Sequence, residues 1–329
     1  MKICVFGAGA IGGYLAAHLK QGGADVSVVA RTANLEAIRA NGLKLRTREG
    51  ERIVRLPATS NPADLGRQDI VIVALKAHQA WEAADGMRPL LGPETAVVTA
   101  QNGLPWWYFQ GIDGPLAGVR LQSLDPGDRQ LAAIGPQRAI GCVAFAAAEL
   151  VEPGVVSCLN PGSFTLGEAS GKFTARLAAL VDAFAAGSVT ARPHPNIRSE
   201  IWFKLWGNLC MNPISALTHA TLDVIATDPG TREVCRMMMR EAETVAGRLG
   251  VTFPIGIDAR LDRAAAVGRH RTSMLQDLIG GKTIELDALL TVVQEIARLL
   301  GVETPAIDTI LALTKQMGEM AGVYPPVRP

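Results

Sequence analysis

Short apolar runs alternate with stretches of helical spacing over the first two-thirds of the chain. Residues 3–6 (ICVF) are wholly apolar and end at glycine, the pattern of a strand buried on both faces. Residues 10–21 follow with helical spacing. Residues 26–30 predict a second buried strand and residues 35–40 a short helix. The run at 69–75 (DIVIVAL) is the strongest strand signal, and 95–100 is another. Strands alternating with helices predict right-handed crossovers and a parallel sheet.

The pattern changes near residue 139. Apolar runs at 139–149, 155–159 and 163–167 are separated by Pro153-Gly154 and Pro161-Gly162. These are hairpin signals and predict an antiparallel extension of the sheet. One more helix is expected over 172–185. The stretch Arg192-Pro193-His194-Pro195 marks the expected boundary between domains at 1–193 and 194–329. Beyond it the spacing predicts helices over 197–211, 231–249, 257–267, 274–280, 286–300 and 305–320, with no strand. The tail from Tyr324 onward is expected to fray. The expected class is α/β, with an N-terminal Rossmann-type dinucleotide-binding domain and a C-terminal all-helical domain.

Length agrees with two domains, because single cores rarely grow past about 250–300 residues and this chain has 329. Its 32 basic and 31 acidic residues give a net charge of +1, with no basic block, and aromatics are only 5%. A nucleic-acid footprint is not expected. The five cysteines, Cys4, Cys142, Cys158, Cys210 and Cys235, form no CxxC pair. They read as buried thiols in a reducing compartment, with no metal site. No apolar run approaches the roughly 18 residues that span a bilayer. The stretch from Lys2 to Leu19 has too many glycines for a signal core, so the default location is the cytoplasm.

Gly7-Ala8-Gly9-Ala10-Ile11-Gly12 is a G-x-G-x-x-G between a predicted strand and a predicted helix. The first glycine allows the tight turn, the second lets a pyrophosphate approach, and the third lets helix and strand pack closely. Free N–H groups at the helix start then face the phosphates. Position selects the cofactor. An acid at the end of the second strand would bind a ribose 2′-hydroxyl, but that strand ends in Arg31-Thr32, and Asp25 lies before it. An arginine there suits a 2′-phosphate, so NADP(H) is expected over NAD(H). The bland alternative for Arg31 is a solvated charge. Ligands in open α/β sheets sit beyond the carboxyl ends of the strands. Lys76 follows one such end, and Gln101-Asn102-Gly103 another. Lys76 would reach a ribose or a carboxylate, and Asn102 a ribose or the nicotinamide side. Each also reads as an ordinary helix start or Asn-Gly turn. The cluster Trp106-Trp107-Tyr108-Phe109 reads equally as a wall of the site or as packing between domains or subunits.

Lys204, Asn208 and Asn212 stand at i, i+4 and i+8, on one helix face. Asparagine is a poor mid-helix residue, so two of them aligned with a lysine ask for a reason. Ketone reduction needs a proton donor as hydride arrives, and a positioned ammonium supplies one. Taken alone, the stripe is as readily a solvated face. On spacing, Ser273 with Gln276 fits a capping box, and Glu285 and Asp287 fit acids at a helix start.

Taken together, these residues resemble the ketopantoate reductase family over nearly the whole length. The resemblance rests on KICVFGAGAIGGYLA, the Arg31 strand end, VALKA at Lys76, QNG at Asn102, FKLWGNLCMNPISAL, TSMLQDLIGGKTIELDAL and GVETPAIDTI, in order. It implies a Rossmann domain joined to a helical domain, NADPH as donor, a 2-keto acid as acceptor and pantoate as product. Carried over by motif, Lys204 resembles the general acid and Glu285 the acid that binds the substrate hydroxyl. Ser273 resembles the carboxylate-binding residue, Asn208 and Asn212 the supporting amides, and Lys76 and Asn102 the groups from the Rossmann side. Three features depart from the family pattern: Ile284 in place of Thr, Asp287-Ala288-Leu289-Leu290-Thr291 where many carry Asn-Gly, and the PWWYF segment. They leave open a related reductase of another 2-keto acid or bulkier carbonyl. A dinucleotide-binding regulatory protein without turnover is a third reading, disfavoured by Lys204 with Glu285. No membrane or nucleic-acid partner is expected, and an exposed apolar face on the helical domain would be the basis of a homodimer.

Overall fold

A computed structural model of the chain describes residues 1–325. Two compact units emerge. The first is Met1–Gln101 with Pro105–Glu200, and the second is Asn102–Leu104 with the residues from Ile201 onward. The division falls between Glu200 and Ile201, a little beyond the Pro-rich stretch at 192–195.

The strands of the first unit are β1 (Lys2–Phe6), β2 (Asp25–Val29), β3 (Leu43–Thr47), β4 (Gly50–Val54), β5 (Ala58–Thr59), β6 (Ile70–Val73), β7 (Ala96–Thr99), β8 (Ala139–Ala144), β9 (Ala147–Glu152), β10 (Val155–Asn160), β11 (Phe164–Glu168) and β12 (Ala191–Pro193). Its helices are α1 (Ala10–Gln21), α2 (Thr32–Asn41), α3 (Ala77–Glu82), α4 (Arg129–Ile134) and α5 (Ala175–Ala186). Eight strands form one sheet in the order β12-β11-β8-β7-β6-β1-β2-β5. The pairings from β8 through to β5 are parallel, and β11 joins β8 antiparallel. The central strands β1, β6 and β7 are apolar and almost fully buried, as strands covered on both faces must be.

The expected run at 139–149 is two strands, broken at Phe145-Ala146, and they enter different sheets. Only β11 extends the main sheet antiparallel to β8. The β9–β10 hairpin instead joins β3 and β4 in a second sheet ordered β4-β3-β10-β9. This sheet covers the outer side of α1. Leu43, Leu45 and Val156 point inward and are buried, and a Cβ on Gly13 would stand 2.7 Å from the Val156 side chain. Helix α1 is therefore enclosed between two sheets. That explains why Tyr14, Leu15, Ala16, Ala17 and Leu19 are all buried, with no clear polar face.

The aromatic cluster lies inside the first unit. All of residues 106–109 are buried. Trp107 Nε1 donates to Thr99 Oγ1 at 3.1 Å. The Arg198 guanidinium lies over the Trp107 and Tyr108 rings. It donates to the carbonyls of Tyr108, Ala169 and Gln110.

The second unit is helical: α6 (Ile197–Thr218, whose first turn belongs to the first unit), α7 (Leu222–Thr227), α8 (Pro229–Arg248), α9 (Ile257–Ala265), α10 (Ser273–Ile279), α11 (Val292–Leu300) and α12 (Pro305–Met320). Helix α6 runs seven residues past the expected end, through Pro213. A proline inside a helix costs about 3 kcal/mol. Here Ile214, Ser215 and Ala216 are buried beyond it, so packing outweighs the lost hydrogen bond. Helix α8 buries Cys235, Met238, Met239, Ala242, Val245 and Ala246 on one stripe, as helical spacing requires. Its Glu241 carboxylate accepts from the backbone N–H groups of Ala306 and Ile307 and so caps α12 from a distance. All five cysteines are free and buried. Among the described residues, no helix is long and apolar enough to cross a membrane.

Candidate functional site

In the first unit the glycine-rich turn joins β1 to α1, and each glycine has a measurable reason. Gly7 adopts φ +106°, and a Cβ there would meet the Leu75 side chain at 2.7 Å. A Cβ on Gly12 would lie 1.9 Å from the Gly7 carbonyl oxygen, which forbids any side chain. A Cβ on Gly9 would meet nothing within 4 Å, so this glycine borders open space. Gly9 caps α1 without a side-chain hydrogen bond, so no capping side chain covers the first N–H groups of the helix. Asn34 holds the turn in place. Its Nδ2 donates to the Ala8 carbonyl at 2.8 Å, and its Oδ1 accepts from Gly154 N–H at 2.7 Å. These features fit a dinucleotide pyrophosphate.

Arg31 stands at the β2–α2 junction as the N-terminal cap of α2, exposed and in extended conformation. Thr32 follows at φ +52°, a left-handed turn that is costly for a β-branched residue. Asp25 is the first residue of β2, not a residue before it. It pairs with Lys2, at the strand end remote from Arg31. Lys76 follows β6 and caps α3, half-buried, with its backbone N–H donating to Gln79 Oε1. Gln101 Nε2 donates to the Leu75 carbonyl and ties the ends of β7 and β6 together.

In the second unit, Lys204, Asn102 and Glu285 form one hydrogen-bonded chain. Lys204 Nζ donates to Asn102 Oδ1 at 2.8 Å, and Asn102 Nδ2 donates to Glu285 Oε2 at 3.4 Å. Chemistry dictates the orientation of the amide. An ammonium has only donors and a carboxylate only acceptors, so the oxygen must face Lys204 and the nitrogen Glu285. The sequence suggested that Asn102 serves from the Rossmann side. Instead Asn102–Leu104 packs as part of the helical unit. Gly103 makes this possible. It sits at φ +80°, and a Cβ there would lie 1.9 Å from the Ala288 carbonyl oxygen. Leu104 N–H donates to that same oxygen at 3.3 Å.

Helix α6 carries the lysine with Asn208 and Asn212. Asn212 is buried and Asn208 half-buried. Ser273 is not the cap of α10. Thr272 is, and its hydroxyl accepts from Leu275 N–H at 3.2 Å. Gln276 turns instead to the Arg271 carbonyl. The expected capping box does not form: the cap lies one residue earlier, at Thr272, and the N3 position is Leu275. Ser273 is left exposed as the first residue of the helix.

Glu285 precedes a feature absent from the sequence reading. The helix expected over 286–300 opens with a π-turn, Asp287–Thr291, before α11. Two groups are diverted there: the Ala288 carbonyl goes to Leu104, and the Asp287 carboxylate accepts from Thr291 Oγ1 and Tyr324 Oη, each at 2.8 Å. Such turns occur often at functional sites. Tyr324 was expected to begin a frayed tail. It is ordered and half-buried, and of that tail only 326–329 lie outside the described residues. Burial, with the charge of Asp287, pushes its phenol above the usual range, so the hydroxyl stays a donor.

Comparison with known proteins agrees with this geometry. The family described as "Ketopantoate reductase PanE/ApbA" matches residues 3–106, and its C-terminal counterpart matches residues 196–318. A 2-dehydropantoate 2-reductase of Mesorhizobium japonicum is 51% identical over 301 residues, covering 91% of this chain and 92% of that one. A solved chain from Ralstonia solanacearum MolK2 superposes with a TM-score of 0.94 at 41% identity, covering 98% of this chain and 99% of that one. A PanE/ApbA family ketopantoate reductase from Ralstonia eutropha JMP134 superposes at 0.84 with 28% identity, covering 98% and 100%. The glycine-rich turn, the lysine helix and the Glu285 segment thus belong to one scaffold, and the chain is a member of the ketopantoate reductase family.

Proposed function

We propose that the protein reduces 2-dehydropantoate to pantoate with NADPH, a step toward pantothenate and coenzyme A. The observation that carries this reading is the chain Lys204–Asn102–Glu285, which joins a proton donor to a hydroxyl acceptor through one oriented amide. The 51% identical relative bears the name of that activity. Arg31, exposed at the end of β2, suits a ribose 2′-phosphate.

When bound, the dinucleotide supplies hydride to the keto carbon. As that carbon–hydrogen bond forms, the carbonyl oxygen takes a proton from Lys204 Nζ, and the amine regains one from water. Asn102 Oδ1 aims the ammonium. The Glu285 carboxylate at the far end of the amide favours the charged lysine. Glu285 also accepts the substrate's distal hydroxyl, and Ser273, Asn208 and Asn212 offer donors to its carboxylate and carbonyl. The free buried thiols fit a reducing, cytoplasmic setting.

The test is the initial rate of NADPH oxidation with 2-dehydropantoate, beside NADH and a panel of other 2-keto acids, for the wild type and Lys204→Ala. Removal of a general acid lowers turnover by about 10²–10⁴. Unchanged NADPH affinity with such a loss supports the assignment. Wild-type turnover on another keto acid alone would move the protein to a sister activity, and retained turnover in Lys204→Ala would end the lysine's role.

A further inference from the structure

The segment carrying Glu285 is held by residues that no motif in the chain suggested. Helix α12 ends in a tight C-terminal turn. Gly322 adopts φ +69°, its N–H donates to the Glu319 carbonyl, and Val323 N–H donates to the Gly318 carbonyl. This is the 6→1 and 5→2 pair of a Schellman motif, which redirects the chain at a defined angle. Tyr324 N–H adds a second donor to Gly318 at 3.1 Å. Gly318 leaves room for the crossing, since a Cβ there would stand 2.8 Å from Tyr324 Cβ.

The redirected dipeptide then brackets Glu285. The Val323 carbonyl accepts from Ile284 N–H at 2.9 Å, one residue before the glutamate. The Tyr324 hydroxyl donates to Asp287 Oδ1 at 2.8 Å, two residues after it. Residues 284–287 are thereby pinned at both ends by two adjacent residues. Thr291 shares the same Asp287 oxygen, so the pin also ties into the π-turn. The anchor is itself anchored: Ile307 and Leu311 of α12 are buried, and Glu241 caps its first turn.

We propose that Tyr324, through Asp287, is a positioning residue for Glu285 and so helps set the recognition of the substrate's distal hydroxyl. The proposal rests on the reading of Glu285 given above. Without the phenol, the Val323 pin remains but Asp287 keeps only its local tie to Thr291, and the downstream end of the segment loses its link to the end of α12. The carboxylate then samples positions in which it no longer meets the hydroxyl. The effect is specific to substrates that carry that hydroxyl.

The experiment compares kcat/KM for 2-dehydropantoate with that for 3,3-dimethyl-2-oxobutanoate, the same keto acid without the hydroxyl. The ratio measures hydroxyl recognition, and a general loss of folded protein does not move it. Glu285→Ala is expected to lower the ratio about ten- to hundredfold, as loss of a charged hydrogen-bond partner does. Tyr324→Phe is expected to lower it roughly five- to tenfold, in KM rather than kcat, on the same principle. Asp287→Asn keeps an oxygen that can accept from Tyr324 and should retain the wild-type ratio. A normal ratio in Tyr324→Phe beside a reduced one in Glu285→Ala would overturn the positioning role and leave the site reading intact. A normal ratio in Glu285→Ala would overturn both.

Discussion

Replacing Gly103 by alanine tests the site through a single methyl group. The new Cβ would sit 1.9 Å from the Ala288 carbonyl oxygen and 2.6 Å from its carbon. Cβ atoms essentially never come within 3.0 Å of a non-bonded neighbour, so the Asn102–Leu104 strip or the π-turn must move by at least about 1 Å. The positive φ adds a further cost of about 1 kcal/mol for any L side chain. Asn102 is the adjacent residue, and it holds both Lys204 and Glu285. A displacement of about 1 Å at a reacting group can cost about a hundredfold in rate. We therefore expect kcat/KM for the keto acid to fall about a hundredfold, which is about 2.7 kcal/mol of lost transition-state stabilisation. NADPH affinity, measured by fluorescence titration, should stay within twofold, because the glycine-rich turn lies in the other unit. Activity within twofold of wild type would refute the claim that the amide positions the acid. An equal loss of NADPH affinity would show that the methyl disturbs more than the strip.

Two other outcomes follow from features of the first unit. Arg31→Ala should weaken NADPH about ten- to hundredfold while leaving NADH unchanged, the range for hydrogen bonds to a charged phosphate; equal weakening of both cofactors would remove the 2′-phosphate role. His18 donates from Nδ1 to the Gly187 carbonyl at 2.7 Å, while its Nε2 is buried with no hydrogen-bond partner among the described residues. Burial holds its pKa below the ordinary 6.5, so between the lowered folded value and 6.5 the unfolded chain binds more protons. Its contribution to stability is complete above about pH 6.5 and is lost as pH falls. Melting temperature should drop on acidification through this window, and His18→Gln should flatten the slope.

Much of the fold could be read because buried parallel strands and their helices impose strict patterns. β1, α1, β6 and α12 stand where periodicity placed them, to within a residue or two. Of the second sheet, β9 and β10 fell within expected apolar runs but were assigned to the main sheet, and β3 and β4 escaped because they are half-polar. Leu43 and Leu45 alternate with Lys44 and Arg46, a signal too brief to separate from a loop. The six-residue α7 escaped for the same reason of length. Pro213 misled because local propensity yields to burial on both of its sides. Ser273 and Thr272 are both good caps, and spacing alone favoured the one with Gln three residues on. The candidate site residues were named chiefly through motif resemblance. Their mutual bonds were not visible, since Asn102 lies 102 residues from Lys204 and 183 from Glu285. Tyr324 gave no signal, because its value arises only when α12 folds and turns it onto Asp287.

The crossing of Asn102–Leu104 into the helical unit also constrains the order of events during synthesis. Ribosomes add about 5–20 residues per second, so the 183 residues between Asn102 and Glu285 correspond to roughly 10–40 s. Throughout that interval the glycine-rich turn is already polymerised, while the amide lacks Glu285 and, until residue 204 is added, Lys204 as well. A nascent chain therefore completes its glycine-rich turn well before the Lys204–Asn102–Glu285 chain can close. Dividing the gene at the boundary between the units would strand Asn102 on the wrong fragment, so the helical half is inherited and expressed as a working unit only together with a tripeptide encoded in the other half.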